Sequence, residues 1–171
     1  IYDIAGGRPH LRIENRLLPA GPTVVDTMAN AALFYGLVKI LGTSERPVWS
    51  QLSFRTAEDN FHEASRFGIE TELYWPRLGT VPARDLVSRH LLPLADVGLD
   101  QLGVDQAVRD RLLGIIESRC AAGRNGSTWL IQEFEHQSRS ATDREAAMRA
   151  TTRAYEELMH AGEPVHTWST R

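Results

Sequence analysis

The sequence has a single cysteine, Cys120, among its 171 residues, so an internal disulfide is excluded. Scarcity of cysteine is typical of proteins in a reducing compartment. Cys120 lies in an apolar helical pattern beside Ile115 and Ile116, which favours a place in the core over a nucleophilic role. An excess of positive charge is also missing, because 19 basic and 22 acidic residues leave a net charge of −3. This balance disfavours partnership with nucleic acid or anionic lipid.

Long apolar runs are scarce as well. The run from Ala31 to Leu41 is interrupted by Tyr35, Gly36 and Lys39, and it is shorter than the roughly 20 residues that a membrane-spanning helix needs. No signal-peptide pattern is present. We therefore expect a cytoplasmic protein without a membrane partner.

Three common signatures of catalytic sites are absent. The six histidines include no His-x-x-x-His pair and no His-Glu-x-x-His motif, which argues against a zinc site. Neither a GxGxxG motif nor a Walker A lysine motif occurs, so the two commonest nucleotide-binding folds are excluded. No residue pattern marks a Ser-His-Asp triad. Chemistry therefore has to be sought in less common patterns.

The most informative segment runs from Arg8 to Ala32, where an alternating strand passes through a Pro/Gly turn into a helix. Side chains alternate along a strand, so one face carries four polar groups: His10, Arg12, Glu14 and Arg16. The other face is apolar apart from Asn15. Alternation alone leaves two interpretations open, a solvated face with cross-strand salt bridges or a row of ligand-binding groups.

The rest of the chain reads as a single, mainly helical domain over residues 1–171. Thr23 and Asp26 predict the capped start of a first helix that ends near Gly42, and its apolar positions nearly encircle it, which predicts a place at the centre of the core. The next predicted elements are a helix capped by Thr56 and Asp59 that ends at Gly68, and a strand over Ile69 to Trp75. A helix from Pro82 to about Gly98, kinked at Pro93, and a helix from Asp105 through Cys120 follow. The last two predicted helices run from the Gly123–Ser127 turn to about Gln137 and from Thr142 to Gly162, and Trp168 is a predicted docking residue.

Three short motifs carry a resemblance to a known family. They are Glu14-Asn15-Arg16 with Pro22-Thr23, Asp26 and Asn30 to Leu33; Asn60-Phe61-His62-Glu63-Ala64-Ser65-Arg66-Phe67-Gly68-Ile69; and Gly123-Arg124-Asn125-Gly126-Ser127. Together they resemble the C-terminal half of the glutamate-cysteine ligase type 2 family, whose members are ATP-dependent carboxylate-amine ligases. The resemblance extends over essentially the whole chain.

The resemblance implies an α+β, predominantly helical fold. It would be the C-terminal part of a glutamine synthetase/guanido kinase-like catalytic domain, with a short antiparallel sheet packed on helices. The chain begins at Ile1 without an initiator methionine. We therefore expect the C-terminal fragment of a longer ligase, inactive without the N-terminal half that supplies the rest of the site.

By resemblance to the family's Glu-x-Arg motif, Glu14 is expected to bind Mg²⁺ and Arg16 to hold a phosphate or acyl phosphate of the ATP reaction. Two residues apart on a strand, a carboxylate and a guanidinium lie about 6.6 Å apart along the chain, which suits a shared metal-phosphate cluster. The alternative is a plain surface pair. Arg12 and His10 share this face, and Arg12 is the further binding candidate.

Four other residues are predicted to bind substrate or nucleotide: Asn60, Arg66, Arg124 and Asn125. Asn60 and Arg66 point in directions about 120° apart on their helix and are not expected to share one ligand. Arg66 could instead contact the carbonyls at the helix end. Arg124 and Asn125 belong to a Gly-rich turn, which could bind phosphate or serve only as a turn.

The expected reaction joins glutamate to an amine through an acyl phosphate, giving a γ-glutamyl amide. Asn15 and Pro19 depart from the family pattern, so the amine is left open, with cysteine as one candidate. The oligomeric state is also open, a homo-oligomer included. Two alternatives remain: a ligase-derived assembly domain without activity, and a helical protein-interaction module.

Overall fold

Two small antiparallel hairpins accompany a mainly helical body in the computed structural model, which describes residues 2–11 and 20–170. The first hairpin pairs β1 (Tyr2–Ala5) with β2 (Arg8–Leu11), and the second pairs β3 (Glu72–Trp75) with β4 (Gly79–Pro82). The predicted class, predominantly helical with a small antiparallel sheet, is confirmed at this level. Residues 12–19, which carry much of the predicted charged strand, lie outside the described residues.

Seven α-helical segments lie within the described residues: α1 (Val24–Gly42), α2 (Phe54–Phe67), α3 (Ala83–Leu86), α4 (Leu92–Gln101), α5 (Gln106–Ala122), α6 (Gly126–Ser138) and α7 (Arg144–Ala161). The predicted capping box of α1 is present, because the Thr23 hydroxyl accepts from Asp26 N at 3.2 Å while the Asp26 carboxylate accepts from Thr23 N at 3.3 Å. Asp105 caps α5 as predicted. Local polar patterns therefore locate these helix starts well.

Two predicted helix starts need correction. Helix α2 begins at Phe54, since the Ser53 hydroxyl accepts from Thr56 N at 3.0 Å and thereby takes the capping position assigned to Thr56. Helix α7 is capped by Asp143, whose carboxylate accepts from Ala146 N at 2.8 Å, in place of Thr142. In both cases a neighbouring residue supplies the side-chain oxygen that caps the helix, and the sequence pattern alone does not decide between two adjacent capping candidates.

The predicted helix from Pro82 to Gly98 is longer and contains a π-helical turn. Helices α3 and α4 are joined without a break by a π-helical turn over Val87–Leu91, and the whole runs to Gln101. Pro93 follows that turn directly. Proline has no N–H and its ring crowds the carbonyl four residues earlier, so a locally wider turn relieves the conflict.

The core forms where α1 crosses α4 and both lie on α5. The crossing is close: a methyl group on Gly36 would lie 2.3 Å from the Ala95 carbonyl oxygen, and one on Gly98 would lie 2.0 Å from the Gly36 carbonyl oxygen. A second cluster holds Trp129 edge-on to Trp168 at 5.1 Å between ring centroids. The predicted docking of Trp168 is confirmed by its 2% exposure.

Helix α1 departs from two expectations. It belongs to the core on one face only, through Ala29 and Ala32, whereas Val24, Met28, Tyr35 and Val38 on the other face are 81%, 51%, 59% and 53% exposed. It is also long and apolar enough to cross a membrane, with 19 residues and a mean hydropathy of 1.4, although 22% of the window is buried here. The helix is longer than the apolar run from Ala31 to Leu41, because it extends back to Val24, and its mean hydropathy stays at 1.4 despite the interruptions. A helix apolar all round does not reveal from sequence which face is packed.

Candidate functional site

A cavity of about 540 Å³ lies where the segment preceding α1 meets the C-terminal part of α5 and the start of α6. Its polar lining comes from Asn30, Arg119, Asn125, Ser127 and Tyr155, while Leu130 and Val165 provide apolar wall. Pockets of this size, mainly apolar with a few convergent polar groups, are typical small-molecule sites. We therefore take this cavity as the candidate site.

A buried ion pair forms the base of the site. Asp26 is completely buried, and its Oδ1 accepts from Arg119 Nη2 at 2.5 Å. Arg119 Nη1 donates to Asn30 Oδ1 at 2.6 Å, which fixes Asn30 one helical turn after Asp26 on α1. Removing two charges from water is costly unless they pair closely. The pair thus holds α1 and α5 in one arrangement.

The Asp26 carboxylate has further donors. Its Oδ2 accepts from the Thr23 hydroxyl at 2.8 Å and from Val165 N at 3.1 Å. Three parts of the chain, the start of α1, helix α5 and the segment after α7, therefore share one carboxylate. Among the described residues, the Nε of Arg119 is buried without a hydrogen-bond partner. The arrangement satisfies the carboxylate more completely than the guanidinium.

The start of α6 forms the opposite side of the cavity. Asn125 caps this helix, its Oδ1 accepting from Thr128 N at 2.9 Å. Gly126 and Ser127 are the first two helical residues, whose N–H groups have no acceptor within the helix. A methyl group on Gly126 would lie 2.8 Å from Pro22 Cγ, so glycine permits the turn to meet the segment before α1. Gly126 and Pro22 both line the cavity at this contact.

The segment before α1 is held equally tightly. Gly21 N donates to the Thr27 hydroxyl at 3.0 Å, and a methyl group on Gly21 would lie 2.5 Å from both Asp26 Cβ and Thr27 N. Ala20, the first described residue after the gap at 12–19, lines the cavity. The charged motif containing Glu14 and Arg16 is therefore continuous in sequence with the cavity wall.

The lining is rich in hydrogen-bond donors. Tyr155 adds a phenol that is protonated at neutral pH, and burial, with the negative charge of Asp26 second, raises its pKa further. The Ser127 hydroxyl and the N–H groups at the start of α6 add donors, and the helix dipole favours negative charge there. The charge of Arg119 is balanced by Asp26. The site therefore suits an anionic oxygen group carried by a partly apolar or aromatic molecule.

The predicted charged strand residues Arg12, Glu14 and Arg16 lie outside the described residues. Their roles stay predictions. His10 is described and lies on β2 opposite Asp3 of β1.

Asn60 and Arg66 do not line this cavity. The Asn60 amide is engaged with the main chain of Tyr74, donating to its carbonyl at 2.9 Å and accepting from its N–H at 2.9 Å. Arg66 lies over the ring of Phe67, with its guanidinium carbon 5.2 Å from the centroid. In this structure the two side chains tie α2 to β3 and cover an aromatic ring. Ligand contact by either one stays a prediction.

Arg124 and Asn125 are adjacent in sequence but make contacts with different parts of the structure. Arg124 Nη1 donates to the Trp168 carbonyl, and its Nη2 approaches Gln132 Oε1 at 3.5 Å. Asn125 lines the cavity, whereas Arg124 does not. The Gly-rich turn thus presents its Asn125–Ser127 portion to the site and uses its cation to hold the C-terminal segment.

Sequence reasoning missed Arg119 and Tyr155 as site residues. Arg119 follows Ile115 and Ile116 on the buried face of α5, and an arginine on such a face is itself a signal, because burial requires a carboxylate partner. Asp26 was recognised as a cap and as part of the first family-like motif, but not as the partner of a buried cation. Nothing in the sequence marked that cap as the partner, since 93 residues separate it from Arg119.

The described residues contain no group of three or more His, Cys, Asp or Glu side chains that could hold a metal ion. Glu14, the expected Mg²⁺ ligand, is outside them. A magnesium site therefore stays a prediction centred on Glu14.

Comparison with known proteins gives no match of the chain to any family model, curated protein or solved structure. Function has to be argued from the residues themselves.

Proposed function

We propose that this chain is the C-terminal part of an ATP-dependent carboxylate-amine ligase similar to the glutamate-cysteine ligase type 2 family. It would form one side of the catalytic cleft, with the N-terminal half of the same enzyme supplying the other. In the reaction, a carboxylate oxygen of glutamate attacks the γ-phosphorus of ATP, ADP leaves, and an amine then displaces phosphate from the acyl phosphate. The glutamine-synthetase-like fold and a cytoplasmic location belong to the same proposal.

One observation carries the proposal. Two of the motifs that resemble the family lie far apart in sequence but border the same cavity: Ala20 to Pro22 follow the Glu14-Asn15-Arg16 motif, and Asn125 to Ser127 belong to the Gly-rich turn. The two segments approach each other at Gly126 and Pro22. Shared binding of one anionic substrate explains their convergence.

The donors in the cavity fit the chemistry. Both steps build negative charge on phosphoryl or acyl oxygens, and preorganised donors in a water-poor site stabilise such charge. The Ser127 hydroxyl, the Tyr155 phenol and the N–H groups at the start of α6 are available for this purpose. Arg16 would add a guanidinium and Glu14 would hold Mg²⁺. The ion, when bound, neutralises phosphate charge.

The test is glutamate-dependent ADP release by the full-length protein with a panel of amines that includes cysteine. We expect Glu14→Gln and Arg16→Ala to lower kcat about 100-fold or more, a loss usual for removal of a group that stabilises transition-state charge. Arg77→Ala, which removes an exposed guanidinium from the β3–β4 turn, is the matched control and should retain activity. Activity unaffected by either site substitution would remove both residues from the mechanism.

The second candidate is an assembly or protein-interaction module, and the exposed apolar faces favour it. Helix α2 has no buried residue and exposes Phe54, Phe61 and Phe67, and helix α1 exposes Val24, Met28, Tyr35 and Val38. Surfaces of this kind usually mark a binding site. Absence of ADP release with every amine, together with stable binding of a protein partner, would favour this candidate over the ligase.

A further inference from the structure

The exposed face of α1 carries a regular stripe of uncharged residues. Its members recur at alternating intervals of four and three residues, and we name them the α1 seam: Val24, Met28, Ala31, Tyr35, Val38 and Gly42. At 100° per residue, the seam lies about 130° around the helix from the face that packs on α4. Its four large residues are each more than half exposed. Val24 and Met28 also line a groove with Val108 and Arg111 of α5, so a partner on the seam would meet α5 at that end.

Alternating intervals of four and three residues are the heptad spacing of a coiled coil, in which side chains of one helix fit between those of another. We propose that the α1 seam binds the same seam of a second copy of this chain in an antiparallel coiled coil. This inference is independent of the proposed ligase activity.

The seam is complementary to itself when two copies run antiparallel. If the two-fold axis passes level with position 33, Tyr35 faces Ala31, Met28 faces Val38, and Val24 faces Gly42. The largest side chain of the seam then lies opposite one of the smallest, and all six positions find a partner. Alternation of large and small residues across facing positions is what close packing requires.

Charge favours the antiparallel direction. Helix α1 has two charged residues, Asp26 and Lys39. Asp26 is paired with Arg119 in the interior, so Lys39 is the charge of α1 that a second copy would meet. In a parallel pair the two Lys39 side chains would lie at the same level. In the antiparallel pair each Lys39 lies level with position 27 of the partner, about 18 Å along the axis from the other Lys39 and beyond the screening length of about 8 Å. The helix dipoles also oppose each other favourably.

A second copy explains the apolar face better than a bilayer does. To cross a membrane, α1 would have to leave α4, where Gly36 touches Ala95, and to separate Asp26 from Arg119. Binding a second copy through the α1 seam leaves both contacts intact. The proposal therefore requires no rearrangement of the chain.

Disulfide trapping tests the register. Ala31→Cys and Tyr35→Cys, made in separately tagged copies of the full-length protein and mixed, should give the mixed disulfide in about tenfold higher yield than either variant alone. Like positions in this register are offset by about 6 Å along the axis, too far for unstrained bridging. Cys120 is buried, so it should not form intermolecular disulfides that compete with the introduced cysteines. Equal yields from like and unlike pairs would overturn the register, and absence of any intermolecular disulfide would overturn the interface.

Sedimentation equilibrium tests the association itself. We expect a dimer, and we expect Val38→Glu to raise its dissociation constant about tenfold or more, because two carboxylates would be buried without partners. Ile131→Glu, on an exposed apolar position of α6, is the matched control and should leave the dimer unchanged. Circular dichroism confirms that each variant is folded. A wild-type protein that is monomeric at tens of micromolar, or one that instead floats with phosphatidylcholine/phosphatidylglycerol vesicles, would contradict the proposal.

Discussion

At the residue scale, the arrangement of the site depends on one completely buried carboxylate. Asp26 accepts from Arg119, Thr23 and Val165 N, and so connects the start of α1, helix α5 and the segment after α7. A buried charge that loses its partner costs far more than a surface charge that does. The same pair therefore decides both the stability of the domain and the geometry of the cavity.

Arg119→Met should strongly destabilise the protein. The substitution leaves Asp26 buried without its counter-charge, and we expect a loss of about 3–5 kcal/mol in the free energy of unfolding, measured by urea denaturation. Arg149→Met is the matched control, because Arg149 pairs with Glu145 on the exposed face of α7. Its effect should stay below about 1 kcal/mol. Equal losses in both variants would contradict the account of the buried pair.

Asn60→Ala should lower stability without changing the affinity for ATP. The Asn60 amide makes two hydrogen bonds to the main chain of Tyr74, and their loss should cost about 1–2 kcal/mol. Asn60→Asp keeps the acceptor but sets a carboxylate oxygen against the Tyr74 carbonyl, so it should not recover the lost stability. Urea denaturation and ATP titration of the full-length protein measure both effects. Weaker ATP binding at unchanged stability would instead support the predicted nucleotide contact.

The stability of the protein should fall as the pH falls below about 6.5, through His166. Burial lowers the pKa of His166, as does the positive charge of Arg119, with Asp26 acting in the opposite direction. The unfolded chain, with an ordinary histidine pKa of about 6.5, then binds a proton at a pH where the folded chain does not. Folding therefore loses free energy as the pH falls from about 6.5 toward the lower pKa.

Thermal unfolding measured across this pH range checks the expectation. In His166→Gln the dependence of the unfolding temperature on pH between about 5 and 7 should be weaker than in the wild type. His62→Gln, which removes an exposed histidine from α2, is the control and should leave the dependence as it is. An unchanged slope in His166→Gln would refute the assignment.

At the element scale, the crossing of α1 and α4 depends on the absence of two side chains. Gly36 and Gly98 bring the two backbones together, so that a methyl group on either would overlap a carbonyl oxygen of the facing helix. Backbone atoms within a helix have little room to yield. The close crossing is thus a property of two glycines on different helices.

Gly36→Ala and Gly98→Ala should each destabilise the protein by about 2 kcal/mol or more, because overpacking forces the helices apart. Gly114→Ala on α5 is the matched control, since a methyl group there meets no atom within 4 Å. That substitution should stabilise the protein by about 0.5–1 kcal/mol through helix propensity. Urea denaturation measures all three. Destabilisation of similar size in all three variants would mean that helix packing is not the cause.

Elements with strong local signals could be predicted from sequence, and those that depend on tertiary contacts could not. The Thr23–Asp26 capping box and the Asp105 cap are local arrangements, and both are present. Strand β4 was missed, because Gly79–Pro82 forms a strand only by pairing with β3. The exposed face of α1 was missed for a similar reason, since a helix apolar all round gives no directional signal.

The residues of the candidate site also divide into those that a local sequence pattern predicts and those that come together only through tertiary contacts. Asn125 was predicted from a local Gly-rich turn and does line the cavity. Arg119 and Asp26 come together across 93 residues of sequence, and no local pattern encodes such a contact. Glu14 and Arg16, which the family resemblance selects, lie outside the described residues, so their placement beside the cavity is a prediction.

At the scale of the whole molecule, the folded chain has a donor-rich cavity and, apart from it, large apolar side chains exposed on α1 and α2. The cavity is bordered by two separate motifs and its donors suit an anionic oxygen group. The faces of α1 and α2 remain exposed to partners. A ligase half that needs another half, and that pairs with a second copy, accounts for both features together.

The most direct test of the ligase proposal follows an oxygen atom. Full-length protein is given ATP, an amine, and glutamate labelled with ¹⁸O in its γ-carboxylate, and the phosphate released is analysed by mass spectrometry. An acyl-phosphate mechanism transfers one carboxylate oxygen to phosphate, so we predict one ¹⁸O in the phosphate for each γ-glutamyl amide formed. Release of unlabelled phosphate, or no ADP formation that depends on glutamate, would contradict the proposed function.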